Sequence, residues 1–160
     1  MTRPLLTTAE GATELVHALI PAVARLEIRV TELAPGSVSL SMPLAGNANH
    51  LGTMYAAALF AIAELPAGIL PWTVLPAMPL VPIARTADVA FRRPATTDVA
   101  LTARLAPARI RDLADAASRG EPTDFRLHLH VVDAAGQDVM TASTLTQLRS
   151  GQMPGQAPPG

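Results

Sequence analysis

Apolar residues recur along the chain with two different periods, and these periods predict both helices and strands. Residues 9–24 have apolar side chains at helical spacing, and Thr7 or Thr8 precedes them as an N-cap. Pro21 lies inside this segment, so we expect it to kink or shorten the last part of the helix. The pattern predicts an N-terminal helix that has one buried face.

Six segments instead alternate apolar and polar residues, which is typical of half-buried strands. The first two cover residues 26–30 and 37–42, and the turn signal Pro35-Gly36 between them predicts a hairpin. Residues 109–122 predict a short exposed helix and a loop between the fourth and fifth strands. The last four strands are predicted at about 84–92, 98–106, 124–132 and 138–148.

The segment between these two groups of strands is almost entirely apolar. From Thr53 to Leu65 every position is apolar or small, except Glu64 and the hydroxyl of Tyr55. A helix that is apolar on all sides is buried on all sides, and Pro66 limits its extent. The sequence therefore predicts an α+β fold in which an antiparallel sheet of about six strands wraps one long buried central helix.

Length and composition narrow the class of protein. The 160 residues suffice for one domain, which we place at residues 1–150, before a disordered Gly/Pro-rich tail at 151–160. Twelve basic residues against thirteen acidic ones argue against a nucleic-acid partner. The chain has no cysteine, which excludes disulfides and cysteine nucleophiles. Five prolines in residues 65–84 argue against a membrane span, so we expect a cytoplasmic protein with no membrane partner.

Glu64 is the only charged residue between Leu33 and Ala84. A carboxylate in a low-dielectric setting must be hydrogen-bonded, or its pKa rises. Either Glu64 caps a backbone amide or reaches solvent before Pro66, or it acts as a general base or nucleophile. The sequence makes this residue the first candidate for chemistry.

Polar side chains gather at the start of the same helix, at Asn47, Asn49, His50, Thr53 and Tyr55. Free backbone N–H groups and the positive end of the helix dipole lie there, so the position suits an oxyanion or a polarised carbonyl. A purely structural interpretation is equally open, in which Asn49 and Thr53 cap the helix.

The separation of these two groups predicts a dimer. Tyr55 and Glu64 are nine residues apart, or about 13.5 Å along a helix. One chain's helix start and its own Glu64 therefore cannot readily touch the same small group. A two-fold dimer with antiparallel central helices would bring them together and form two equivalent sites.

The segment NHLGTMYAAALFAIAE, residues 49–64, resembles the central-helix motif of hotdog-fold thioesterases of the phenylacetyl-CoA and 4-hydroxybenzoyl-CoA type. That motif reads Asn-x-x-Gly-x-x-His-Gly-Gly followed by a carboxylate, and this chain has Tyr55-Ala56-Ala57 in place of His-Gly-Gly. The segments FRRPA at 91–95 and VVDAAGQDVMTASTLTQL at 131–148 resemble the family's third strand end and closing hairpin. The resemblance implies a hotdog fold, and the separation of Glu64 from Tyr55 along one helix predicts a homodimer or dimer of dimers.

The resemblance also implies roles for particular residues. Asn49 would polarise the thioester carbonyl, the Ala56 backbone N–H would hold the oxyanion, and the partner's Glu64 would act as base or nucleophile. Thr86 is a candidate for the hydroxyl that relatives carry on the third strand, since it lies two residues after Ala84 and would share its face.

The remaining site candidates are contacts to the substrate. Arg92 and Arg93 are either ordinary surface charges or contacts to the phosphates of coenzyme A or phosphopantetheine, because guanidinium groups suit phosphate. The resemblance implies an acyl-CoA or acyl-carrier-protein substrate and no cofactor or metal of the enzyme's own. The other candidate contacts surround the helix start and are Gly52, Thr53, Tyr55 and Ala57.

Two other functions stay open. Acyl-carrier-protein dehydratases of the same fold pair a His with a Glu fourteen positions later, and His50 and Glu64 have this spacing. A non-catalytic module that binds acyl thioesters is the other alternative. His128 and His130 are two residues apart on one strand, which predicts a solvated polar face rather than a metal site.

Overall fold

The computed structural model describes residues 6–75 and 80–151 and confirms the predicted α+β hotdog fold. Most of the tail predicted at 151–160 lies outside the described residues. The helices are α1 (Ala9–Leu19), α2 (Pro21–Arg25), α3 (Ala56–Glu64), α4 (Pro66–Val74) and α5 (Pro107–Ser118). The strands are β1 (Arg29–Ala34), β2 (Ser37–Met42), β3 (Leu80–Phe91), β4 (Val99–Arg104), β5 (Thr123–Val132) and β6 (Asp138–Ser150).

The six strands form one antiparallel sheet in the order β1-β2-β4-β5-β6-β3. The predicted hairpin is β1–β2, in which Ala34 pairs with Ser37 and Gly36 has the positive φ of 72° that glycine tolerates best. β1 begins later than predicted, because the chain first makes a tight turn in which Glu27 has a φ of 54° and Ile28 N–H donates to Val23.

The N-terminal helix divides at Ile20, as the position of Pro21 predicts. The Thr8 hydroxyl accepts a hydrogen bond from Gly11 N–H at 3.1 Å, which makes Thr8 the N-cap of α1. Pro21 then occupies the first turn of α2, where its missing N–H costs no helical hydrogen bond.

The central helix is longer than the sequence predicts. Leu65 keeps helical angles (φ −60°, ψ −37°) and Pro66 takes the first position of α4, so the helix runs from Ala56 to Val74. The prediction that Pro66 limits it is wrong, because proline is tolerated where a helical turn begins. By length and composition this helix could cross a membrane, but 61% of its most apolar window is buried, which identifies it as the core helix.

The central helix is not buried on all sides, which corrects a second expectation. Ile62, Ile69 and Leu70 are fully buried, whereas Ala57 and Phe60 are exposed. The exposed positions of α3 follow helical spacing and form a stripe, which we call the open stripe: Ala56, Ala57, Phe60 and Glu64. Within one chain the sheet therefore covers only part of the helix circumference.

The helix between β4 and β5 is less exposed than predicted. Leu113 of α5 is fully buried, and Ala116 and Ala117 are also buried. The helix is therefore amphipathic, and its apolar face packs on the core rather than extending into solvent.

Candidate active site

Glu64 lies at the carboxyl end of α3, beside a groove of about 150 Å³ between the helix and strands β3 and β6. Ala84, Ala87 and Thr144 line this groove together with Phe60 of the open stripe. The Glu64 side chain is exposed in the single chain, as in the alternative in which it reaches solvent before Pro66. Desolvation by the surrounding protein still raises the pKa of Glu64 above its ordinary value.

A β-bulge near Arg85 decides which residues of β3 face Glu64. Ala84 pairs with Thr146, but Thr86 pairs with Leu145, so the register shifts by one between them. Cross-strand partners share a face, and Thr146 is buried while Leu145 is on the other face. Thr86 borders the groove, but its side chain lies on the opposite face from Ala84, so the prediction that the two share a face is wrong.

The other end of α3 carries unused hydrogen-bond donors. Tyr55 is the N-cap residue of α3, and its side chain makes no capping hydrogen bond. Since the N-cap position belongs to Tyr55, the interpretation of Asn49 and Thr53 as caps of this helix is wrong. The backbone N–H groups of Ala56 and Ala57 have no acceptor among residues 6–75 and 80–151, and both residues are exposed. Two amide donors at a helix N-terminus form a site that suits negative charge on oxygen.

Asn49 organises the loop that leads into this helix start. Its Oδ1 accepts from the backbone N–H groups of Leu51 at 2.9 Å and Thr53 at 3.2 Å, and its Nδ2 donates to Thr53 Oγ1 at 3.0 Å. Gly52 makes the turn with a φ of 76°, and His50 is exposed. Asn49 thus shapes the loop; its contact with a thioester carbonyl stays a prediction.

The two predicted phosphate-binding arginines lie near the same end of α3. Ala95, just after them, accepts a hydrogen bond from Met54 N–H at 2.8 Å, which ties the end of β3 to the helix start. Arg92 Nε donates to Thr141 Oγ1 at 3.1 Å, and the Arg93 guanidinium donates to the Gln137 side chain. Both arginines remain exposed, so they are accessible to a phosphate.

Within one chain these groups form two separate clusters. We call residues 49–57 together with Arg92 and Arg93 the donor end, and Glu64 with its groove the carboxylate end. Ala56 and Glu64 are eight residues apart on one helix, which corresponds to about 12 Å. A thioester carbon and its carbonyl oxygen are about 1.2 Å apart, so one chain's own two ends cannot readily act on the same group.

Thr144 is a groove residue that the sequence reasoning missed. It is 5% exposed, and its Oγ1 is the buried side-chain polar atom without a hydrogen-bond partner among the described residues. The alternation of β6 already indicated that Thr144 is buried. It lies an even number of residues from the buried Met140, Ala142 and Leu148 and therefore on their face of the strand. A threonine in an inward-facing series of apolar residues indicates a buried hydroxyl group.

His128 and His130 lie on the outer face of the sheet, away from Glu64. His130 Nδ1 is 2.9 Å from Asp138 Oδ2, and both side chains are exposed. Across residues 6–75 and 80–151 there is no cluster of three or more metal-binding side chains.

Comparison with known proteins identifies the family. The model of a family described as a domain of unknown function, DUF4442, matches residues 9–148. No curated protein matches the sequence. A solved structure from Pseudomonas aeruginosa, described as a protein of unknown function and probable thioesterase, is 41% identical, with a TM-score of 0.82 over 93% of this chain and 100% of that one.

More distant solved structures share the fold. A thioesterase from Haemophilus influenzae is 12% identical, with a TM-score of 0.73 over 94% of this chain and 96% of that one. A mutant thioesterase from Pseudomonas aeruginosa is 14% identical, with a TM-score of 0.70 over 91% and 96% of the two chains. Together with the 41% identical structure from Pseudomonas aeruginosa, these matches confirm the predicted resemblance to hotdog-fold thioesterases.

Proposed function

The chain belongs to the DUF4442 family and to the hotdog-fold thioesterase superfamily, and from this premise we propose that it hydrolyses acyl thioesters. The observation that carries the proposal is the Glu64 carboxylate. It stands beside a groove, desolvation raises its pKa, and no basic group neutralises it by an ion pair within the described residues. A carboxylate of raised pKa is a stronger base than an ordinary one, as proton abstraction from water requires.

The two edges of the sheet support a dimer that joins the donor end of one protomer to the carboxylate end of the other. At the β1 edge, α1 supplies a partner: Val30 N–H donates to the Thr13 hydroxyl at 2.9 Å. The edge strand β3 has twelve residues, pairs only with β6 within the described residues, and leaves Val89 and Phe91 exposed. A long edge of this kind is a template for pairing with another strand.

The exposed large apolar side chains also gather on this side of the molecule. Apart from Leu19 and Ile20 at the end of α1, those that the described residues expose belong to β3, the open stripe or the loop before α3. They are Leu51, Tyr55, Phe60, Ile83, Val89 and Phe91. Burying such a patch against a second copy would be favourable, and a two-fold axis across β3 would bring opposite ends of the two α3 helices together.

The proposed reaction uses both ends. Glu64 of one protomer takes a proton from water, and the water oxygen forms a bond to the thioester carbon. The carbonyl electron pair moves onto oxygen, where the Ala56 N–H of the other protomer stabilises it. Collapse of this intermediate breaks the C–S bond, and the proton on Glu64 passes to the thiolate, which leaves a carboxylic acid and a thiol.

The substrate proposed is an acyl-CoA or an acyl carrier protein. Arg92 and Arg93 are two exposed cations next to the donor end, where the phosphates of either carrier would lie.

Glu64 could alternatively attack the carbonyl itself and form an acyl anhydride, which hydroxylamine would trap and mass spectrometry would detect on the peptide that contains Glu64. The predicted cytoplasmic location belongs to the same proposal.

A mixing experiment tests the reaction and the shared site together. Thiol release from a panel of acyl-CoAs and acyl carrier proteins should first identify a hydrolysed substrate. Glu64→Ala and Ala56→Pro variants, each inactive alone, should then be unfolded, mixed in equal amounts and refolded. Each mixed dimer would contain one intact site of two, so activity should return to about a quarter of the wild-type value.

Two results would contradict the proposal. No thiol release from any member of the panel would remove the hydrolase assignment and favour the binding-module alternative. Hydrolysis by the wild type without any recovery in the mixture would retain the hydrolase and remove the site shared between protomers. Two Glu64→Ala samples that are mixed in the same way provide the control, because they cannot form an intact site.

A further inference from the structure

Strand β6 is one of the strands that line the Glu64 groove, and it carries a buried hydroxyl group without a hydrogen-bond partner among the described residues. Thr144 lies on β6 and pairs with Leu127 of β5 on one side and Ala87 of β3 on the other. Its side chain points to the concave face, where it is 5% exposed, and its Oγ1 has no hydrogen-bond partner among the described residues. Leaving a buried hydroxyl without a partner is unfavourable, so the position needs an explanation.

Packing alone does not explain a threonine at this position. Valine has the same shape and no hydroxyl, and it would fill the space beside Leu127 and Ala87 without an unsatisfied polar atom. Another buried threonine shows the usual arrangement: Thr73 Oγ1 accepts from Gly36 N–H at 2.9 Å and donates to Leu70 O at 2.7 Å. An unsatisfied polar group on a residue that lines the Glu64 groove is most simply explained by a partner that arrives with the proposed reaction.

The groove offers that partner a place. Glu64 and Thr144 both line it, and its volume of about 150 Å³ exceeds what one water needs, which is about 10–15 Å³. The proposed hydrolysis requires a water beside Glu64. A water that binds only one carboxylate can rotate about that hydrogen bond, whereas a second anchor fixes the direction of its lone pair.

We infer that Thr144 is a positioning residue whose hydroxyl hydrogen-bonds to the hydrolytic water that Glu64 deprotonates. Glu64 accepts one proton of this water, and Thr144 holds the oxygen so that a lone pair faces the thioester carbon. The inference rests on the proposed hydrolysis and adds a residue on β6 to the groups drawn from the central helix and β3.

Three variants test this role. Thr144→Val removes the hydroxyl and keeps the shape, and it should lower kcat about tenfold with KM within about twofold, since one neutral hydrogen bond to the reacting water is lost. Thr144→Ser restores the hydroxyl and should recover most of kcat. Thr102→Val is the matched control, because Thr102 Oγ1 lies 2.9 Å from Ser39 Oγ in the strand pair β2–β4, away from the groove.

Thermal unfolding separates positioning from a structural role. Removing a hydroxyl that has no protein partner should leave the Tm of Thr144→Val equal to or above that of the wild type. A fall in kcat with an unchanged or higher Tm, reversed by Thr144→Ser, supports the inference. Wild-type kcat in Thr144→Val, or a loss of kcat that accompanies a lower Tm and that Thr144→Ser does not reverse, overturns it.

A crystal structure gives a readout that is independent of activity. It should contain one ordered water within hydrogen-bond distance of both Glu64 and Thr144 Oγ1, and the same water should be displaced or lost in Thr144→Val. Absence of this water in the wild type overturns the inference even when the wild type hydrolyses thioesters. No thiol release by the wild type contradicts the proposed function instead, so the two failures are distinguishable.

Discussion

The two ends of helix α3 differ in what each leaves unsatisfied. At the donor end, Asn49 is hydrogen-bonded to Thr53, while the N–H groups of Ala56 and Ala57 have no acceptor within residues 6–75 and 80–151. At the carboxylate end, Glu64 lies beside a groove and has no ion-pair partner in the part of the chain that the structure describes. One end therefore lacks acceptors and the other lacks donors, and a thioester undergoing attack by water supplies both.

Each end of helix α3 therefore carries half of the groups that the proposed reaction needs. A helix cannot shorten to bring Ala56 to Glu64, because its rise is about 1.5 Å per residue. The exposed edge β3 runs beside both ends, so pairing of two copies along it would solve the distance problem without any conformational change.

Removal of the carboxylate should have the largest effect. Glu64→Ala should lower kcat/KM for thioester hydrolysis by about 10²–10⁴-fold, because the general base is lost. His50→Ala is the matched control on the exposed loop at the donor end, and steady-state thiol release should fall by less than about tenfold. Comparable losses in both variants, with dehydration of a 3-hydroxyacyl thioester by the wild type, would support the dehydratase alternative.

Removal of one amide donor should have the next largest effect. Ala56→Pro deletes the N–H at the first position of α3, where proline is tolerated, and Tyr55 already has the extended angles (φ −64°, ψ 134°) that a following proline requires. The kcat should fall by about 10²–10³-fold with little change in Tm, as for loss of one oxyanion donor. Kinetics like those of Ala56→Gly, the control that keeps the N–H, would remove Ala56 from the oxyanion site.

A charge on the β3 edge should separate the two ends. Val89→Glu places like charges near each other in the proposed two-fold interface, so light scattering should show a shift from dimer to monomer, and activity should fall at least about tenfold. Arg29→Glu, on the exposed side of β1, should leave both unchanged. A monomeric Val89→Glu protein with full activity would show that one chain suffices.

The pH dependence should reveal the environment of Glu64. Desolvation raises the pKa of Glu64, so kcat/KM should fall with decreasing pH at values above the ordinary glutamate pKa of about 4.3. The acid limb of a pH–rate profile measures this pKa in the free enzyme. A limb at or below the ordinary value would mean that the carboxylate is well solvated in the working enzyme.

The same shift predicts a small effect on stability with a definite sign. The raised pKa means that the folded state favours protonated Glu64, so this contribution to stability is present at low pH and is lost as pH rises through the folded-state pKa. Glu64→Gln cannot ionise, and its Tm should therefore exceed that of the wild type at pH 8. The difference should disappear below about pH 4; a Tm that is lower at pH 8 would contradict the sign.

The fold was predictable because most of its signals are local. Strict alternation in residues 124–132 located β5 to within one residue, and Pro35-Gly36 located the first hairpin. The central helix was also predicted, although the sequence did not reveal that Leu65 remains helical through Pro66. Proline in the first turn is compatible both with a new helix and with a continued one, so the local sequence does not decide whether Leu65 stays helical.

The site was predictable only where it depends on composition. Glu64 stands out because it is the only charged residue in a long apolar region, and the structure places it beside a groove. The predicted face of Thr86 was wrong because alternation assumes continuous pairing between neighbouring strands, and the bulge near Arg85 interrupts the pairing of β3 with β6. The alternation of β6 indicated that Thr144 is buried, but the sequence could not show that its hydroxyl has no hydrogen-bond partner among the described residues.

The bulge near Arg85 also has a consequence for how this site can evolve. If the pairing of Ala84 with Thr146 continued without a bulge, Thr86 and Asp88 would face α3, and Val89 and Phe91 would turn to the outer face of the sheet. The presence of one extra residue in β3 thus decides which side chains face the interior. They are either Thr86 and Asp88, or the apolar Val89 and Phe91. Insertions and deletions at this position would exchange the whole set in a single event, a change that would otherwise require several independent substitutions.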